Sequence, residues 1–154
     1  MNNNKIKYIQ APWGYQEVWA HTENYVGKIL YINPHSRLSL QYHIEKEETI
    51  RVLKGTLYLH HEIKGNQVLI VTKLVEGDVY HVPIGSIHRF EAREEAVELI
   101  EVSTSQLDDV VRISDDYNRS TWRSVLGDNT LFRAYAHIKR RKQYDYYTWK
   151  TIWY

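Results

Sequence analysis

Four side chains able to donate electron pairs to a metal stand in two short blocks of the sequence. Gln41, His43 and Glu48 lie in QYHIEKEETI, and His88 closes the block GDVYHVPIGSIH. In an extended strand, residues two apart project from the same face, so Gln41 and His43 can aim an amide oxygen and an imidazole nitrogen at one point. Glu48 lies five residues beyond His43, an odd step that on an unbroken strand would place it on the opposite face. A turn must therefore intervene, and the polar run Glu45-Lys46-Glu47 supplies it. Glu48 then opens a returning strand that runs to Leu53 and is closed by Gly55. In the second block a strand from Val79 to Val82 ends at Pro83, a turn follows at Ile84-Gly85, and His88 starts the next strand.

Taken singly, either histidine reads as well as a satisfied core residue as it does as a ligand. Glu48 decides between them, because a carboxylate on the inward face beside Ile50 and Val52 carries a large desolvation cost unless it is paired or metal-bound. Gln41 is the weakest donor of the set, since a neutral amide can instead hydrogen-bond a substrate hydroxyl. Two imidazoles, a carboxylate and an amide suit one divalent ion such as zinc and leave a position open for water or substrate. Iron, manganese, cobalt and nickel also fit this donor set. His21, His35, His60, His61, His81 and His137 lack the spacing and read as surface or structural residues.

The elements that must position these residues are strands. Short apolar runs broken by turn signals recur about every dozen residues, as in a sandwich or barrel. The expected strands are Gln16 to Trp19, Tyr25 to Ile32, Leu38 to His43, Thr49 to Leu53, Thr56 to His61, Gln67 to Leu74, Asp78 to Val82, His88 to Glu91 and Val97 to Val102. Turns are expected at Asn33-Pro34, at Glu76-Gly77, and at Lys64-Gly65-Asn66 as a hairpin. Helical periodicity is nearly absent before residue 105.

At 154 residues, 43% hydrophobic and 25% charged, the chain has the composition of an ordinary globular domain. No apolar run approaches the roughly 20 residues that span a bilayer, so no membrane helix is expected. The segment MNNNKIKYIQ has no apolar signal-peptide core and the chain has no cysteine, which together point to the cytoplasm. The net charge of +1 hides an asymmetry: residues 1–119 balance at −4 and residues 120–154 at +5. The latter stretch also carries Trp122, Trp149 and Trp153, and its Lys139-Arg140-Arg141-Lys142 cluster precedes Tyr144, Tyr146, Tyr147 and Trp149. We therefore expect a body over residues 1–119 and an aromatic, basic extension over 120–154, packed on the body or on a partner subunit.

The series Gln-x-His-x4-Glu-x6-Gly followed by Gly-x5-Pro-x-Gly-x2-His resembles the paired signatures of the cupin superfamily. With a glutamine at the first position inside RLSLQYH, it is similar in particular to the cupin domain of type II phosphomannose isomerases. The likeness extends through Pro12-Trp13-Gly14-Tyr15, Arg37-Leu38-Ser39-Leu40-Gln41, Pro83 to Arg89, Leu99-Ile100-Glu101-Val102 and Val111 to Arg119. The resemblance implies an all-β jelly-roll barrel, the double-stranded β-helix of cupins, with its ligands inside one open end. It favours zinc. It also implies conversion of mannose 6-phosphate to fructose 6-phosphate, with a metal polarising the C1 and C2 oxygens and a base shuttling a proton between the carbons. Lys46 and Glu101 are the candidates for that base. Arg37, Arg89, Arg112 and Arg119 match basic positions of the family pattern and are candidates to bind a sugar phosphate; solvated surface charge is the plainer role for each. A homodimer is expected.

Departures from the pattern are equally specific. Lys46 replaces the usual arginine, Ile50 the usual tryptophan, His35 a glycine after Pro34, and Ala92 an asparagine, while Ser103 to Leu107 is shorter than usual. The type II family often joins this domain to a sugar-nucleotide pyrophosphorylase, and nothing of that size lies within these 154 residues. Two other classes stay open: a cupin that binds a sugar or other small polar ligand without isomerising it, and, less favoured, nucleic-acid binding through the basic aromatic extension.

Overall fold

The computed structural model describes residues 6–63 and 68–119. The expected Lys64-Gly65-Asn66 turn and the 120–154 extension lie outside the described residues. Those residues form strands and no helix: β1 Lys7–Ala11, β2 Gly14–His21, β3 Val26–Ile32, β4 Ser36–Arg37, β5 Leu40–Tyr42, β6 Glu48–Lys54, β7 Leu57–Ile63, β8 Val68–Leu74, β9 Val79–Val82, β10 His88–Ala92, β11 Val97–Ser103 and β12 Val111–Ser114. One sheet has the order β1-β2-β3-β11-β6-β9 and the other β12-β5-β10-β7-β8, with β4 pairing β10. The strand pairs are antiparallel throughout. Neighbours distant in sequence, such as β3 beside β11 and β5 beside β10, give the crossed connectivity of a jelly roll.

Alternation builds the interior. Glu48, Ile50 and Val52 of β6 are buried, as are Val97, Leu99, Glu101 and Ser103 of β11 and His88, Phe90 and Ala92 of β10. Read along these strands, the inward residues change from apolar to polar. Ile32, Val52, Leu57, Leu59, Phe90, Val97 and Leu99 belong to a single core cluster, whereas Lys28, Glu48, Glu101 and His88 occupy the other end of the same faces. The core stabilises the barrel, each fully buried Leu, Ile or Phe contributing about 1.5–3 kcal/mol, and it holds the strands that carry the polar end.

The strand pattern differs from expectation at both edges. β1 and β12 had no clear signal, and the expected Leu38 to His43 strand is split into β4 and β5 around Leu38-Ser39, with His43 beyond it. Gly55, expected to close the Glu48 strand, follows Lys54 with φ of 82°, and a Cβ there would stand 2.3 Å from the Ala96 carbonyl oxygen. His35 adopts φ of 56°, a left-handed conformation that glycine enters without strain. This accounts for the glycine expected at that position.

Candidate metal centre

Three strands and one bend bring the donors together. Glu48 is the first residue of β6, and His88 the first of β10, where it pairs in register with Gln41 of β5. His43 lies just past β5 in a bend centred on Ile44-Glu45, one residue earlier than the Glu45-Lys46-Glu47 turn read from sequence. That bend is held by Asp109, whose carboxylate accepts the backbone N–H groups of Ile44 at 3.2 Å, Glu45 at 2.6 Å and Lys46 at 2.8 Å. The turn before β10 is tied to it, with Gly85 N–H donating to the His43 carbonyl at 2.8 Å.

His43 Nε2 lies 3.6 Å from Glu48 Oε2 and His88 Nε2 lies 3.2 Å from Glu48 Oε1. One ligand atom from each of the three residues falls within 4.8 Å of the others, and all three side chains are buried. The hydrogen bonds on the far sides of the rings fix what these atoms are. His43 Nδ1 donates to the Asp109 carbonyl, and His88 Nδ1 donates to the Ser86 carbonyl at 2.9 Å. A carbonyl can only accept, so each ring in its neutral form carries its proton on Nδ1 and turns a lone pair inward from Nε2, as metal-binding histidines do. Both Nε2 atoms are buried without a hydrogen-bond partner. Two lone pairs and a carboxylate thus converge with no proton between them. That arrangement is costly by itself and is satisfied by a cation. Gln41 stands beside His88 in register, with its Oε1 accepting from Ser39 Oγ at 2.7 Å.

Lys46 and Glu101 join this cluster. Lys46 is 4% exposed, and its Nζ contacts Glu48 Oε2 and donates to Glu101 Oε1 at 3.2 Å. Glu101 Oε1 also accepts from Lys28 Nζ at 2.9 Å. Burial works against ionisation of Glu48, yet the Lys46 ammonium beside it holds its carboxyl well below the usual range. Burial likewise opposes the charge on Glu101, and Lys28 and Lys46 outweigh it, so its carboxyl is also held low. Burial would lower the Lys46 ammonium, but Glu101 and Glu48 reverse that and raise it.

A cavity of about 500 Å³ opens onto this end, and Glu48, Lys46, Glu101, Lys28, Gln41, Arg112 and Arg119 are among its lining residues. Five cationic side chains line it against three carboxylates, a balance that favours an anion. The four arginines singled out in the sequence divide here. Arg112 and Arg119 line this cavity, Arg119 also bonding Asp115 at 3.2 Å through Nε. Arg37 lies instead in a separate hollow, paired with Asp116 at 2.6 Å. Arg89, on the face of β10 opposite His88, donates to the Ser114 carbonyl at 3.1 Å. Ile50 belongs to the core cluster.

Sequence reasoning missed Lys28 and Asp109. Lys28 had a signal: a lysine at an inward position of a strand that otherwise buries Val26, Leu30 and Ile32. Asp109 had none, being one aspartate in the loop stretch Leu107-Asp108-Asp109-Val110.

A two-sheet jelly roll with a His–Glu–His cluster inside one end is a cupin, and solved structures of that architecture superpose on this one. The capsular polysaccharide assembling protein CapF of Staphylococcus aureus matches with a TM-score of 0.64 at 14% identity, over 71% of this chain and 34% of its own. KdgF from Halomonas sp. matches at 0.56 and 17%, over 70% and 94%, and oxalate decarboxylase from Bacillus subtilis at 0.63 and 17%, over 71% and 30%. The chain belongs to the mannose-6-phosphate isomerase C-terminal family, which it matches over residues 2–115. Among curated proteins it is 30% identical over 116 residues to the xanthan biosynthesis protein XanB of Xanthomonas campestris pv. campestris, strain B100, covering 73% of this chain and 24% of XanB. It is 32% identical over 116 residues to a mannose-1-phosphate guanylyltransferase of Salmonella montevideo, covering 73% and 23%. The chain therefore spans about a quarter of the length of these relatives.

Proposed function

We propose that this chain is a metal-dependent sugar-phosphate isomerase that interconverts mannose 6-phosphate and fructose 6-phosphate. The observation that carries the reading is the cavity floor at Glu48, the carboxylate that faces the buried Nε2 atoms of His43 and His88, in a cavity that Arg112 and Arg119 also line. His43, Glu48 and His88 would hold one divalent ion, with Gln41 as a fourth ligand and zinc as the favoured metal. When bound, the ion supplies Lewis acidity toward the oxygens on C1 and C2. Arg112 and Arg119 bind the phosphate and so fix which end of the sugar reaches the floor. Of the two candidate bases, Glu101 is the better placed by charge, since it is the group held ionised; it takes the C2 proton and returns it to C1, while the C2 hydroxyl proton passes to the C1 oxygen. Lys46, held cationic, neutralises charge developing on the sugar oxygens. Arg37, which lines the separate hollow, and Arg89, on the opposite face of β10, take no part.

A coupled assay for fructose 6-phosphate on the full-length protein, loaded separately with zinc, manganese, cobalt, nickel or iron(II), tests this. Turnover above a metal-stripped control is the expected outcome. Metal bound through His43 and His88 with no turnover of any hexose phosphate would leave a sugar-binding cupin in its place.

A further inference from the structure

Lys28 is 6% exposed on the inward face of β3, opposite Glu101 in register. Burying an ammonium in a barrel wall is costly unless it is paired, and Lys28 is paired with one oxygen. Its Nζ donates to Glu101 Oε1 at 2.9 Å, the same oxygen that accepts from Lys46 Nζ at 3.2 Å, and Lys46 in turn contacts Glu48 Oε2. Positive and negative groups thus alternate along a buried line, Lys28, Glu101, Lys46, Glu48, that ends on the carboxylate facing both imidazoles. A metal ion at the cluster must share Glu48 with Lys46. How firmly Lys46 holds Glu48 depends on how strongly Glu101 draws Lys46 away, and Lys28 competes with Lys46 for Glu101.

We propose that Lys28 is a positioning residue that keeps Lys46 on Glu48 and thereby limits how tightly the ligand set holds its metal. The inference rests on the metal-centre reading and deepens it. Two effects act with the same sign. Without Lys28, Glu101 has Lys46 to itself and pulls it from Glu48, and one positive charge leaves a buried region where screening by solvent is weak. Both tighten metal binding. A residue that merely supported the barrel would act the other way, since its loss would loosen the ligands.

The test is competitive titration of zinc or cobalt(II) against a chelating dye at fixed pH, on full-length wild type, Lys28→Met, Lys28→Arg, Glu101→Gln and a His43→Ala/His88→Ala double variant. Thermal melts of the metal-free proteins report folding. The expected results are binding about tenfold tighter in Lys28→Met and about tenfold weaker in Glu101→Gln. Lys28→Arg, which restores the cation, should bind as wild type does. The visible bands of cobalt(II) should be unchanged in Lys28→Met, because the ligands are the same. A folded Lys28→Met that binds metal no tighter than wild type overturns the proposal. If Lys28→Met does not fold, Glu101→Gln decides it: binding as tight as wild type or tighter overturns the proposal as well. Equal metal content in wild type and the double-histidine variant overturns the metal centre itself, and the proposal with it.

Discussion

The two buried imidazoles differ from the half-buried His60 and His61 in what lies on their Nε2 atoms. His60 Nε2 meets Glu91 at 2.8 Å and His61 Nε2 meets the Thr72 hydroxyl at 2.9 Å, so both are satisfied by the protein. His43 and His88 are not. Metal should therefore stabilise the fold through these two rings, by about 2.7 kcal/mol when free metal is a hundred times the dissociation constant. Melting scans with and without zinc should show this shift in wild type, and the His43→Ala/His88→Ala variant should lose it together with its bound metal. The arginines divide just as sharply. Arg112→Ala and Arg119→Ala should each raise KM for mannose 6-phosphate, by about tenfold or more if a phosphate contact is lost. Arg37→Ala, which breaks only an exposed pair with Asp116, should leave KM within about twofold. Equal effects from all four arginines would remove phosphate binding from this cavity.

At the scale of elements, the bend between β5 and β6 sets where His43 points, and Asp109 sets the bend. One side chain satisfies three backbone donors there, and its own carbonyl orients the ring. Asp109→Ala would leave those donors without it, at a cost of about 1–3 kcal/mol, and should also weaken metal binding because the ring loses the loop that aims it. Denaturant unfolding together with metal titration measures both, and a loss of stability with unchanged metal affinity would separate Asp109 from the site. The convergence of His43, Glu48 and His88 was legible from spacing, because strand alternation and turn residues operate over a few neighbours. The sequence did not disclose Asp109, which acts across more than sixty residues through backbone contacts that accept almost any loop. The same reason hid β1 and β12. Both are edge strands, β12 has a register shift against β5, and neither carries the regular burial pattern that marks β6 or β11. Lys28 was legible in principle, since a charge on a buried strand face asks for a partner, but Glu101 becomes that partner only once β3 and β11 are known to be neighbours.

For the molecule as a whole, pH and length are the informative variables. Burial lowers His60 from its ordinary value of 6.5 against the opposing pull of Glu91, with Arg89 and Arg37 adding to the lowering. Burial also lowers His61, which packs on Tyr80 at 5.2 Å between ring centres. The unfolded chain therefore takes up protons at these positions before the folded one does, so stability should fall as pH drops below about 6.5 and level off below the folded values. Urea midpoints of metal-free protein should be lower at about pH 5.5 than at about pH 7.5, and the difference should shrink in a His60→Gln/His61→Gln variant. Length tests the division of the chain. The core cluster runs from Trp13 to Leu99, with Ala11, Tyr80 and Tyr117 packed against it, and the metal cluster with its supporting Asp109 lies inside the same span. A chain ending at Arg119 thus retains every residue that these interactions use. It should unfold cooperatively and bind the same amount of metal per chain as the full protein.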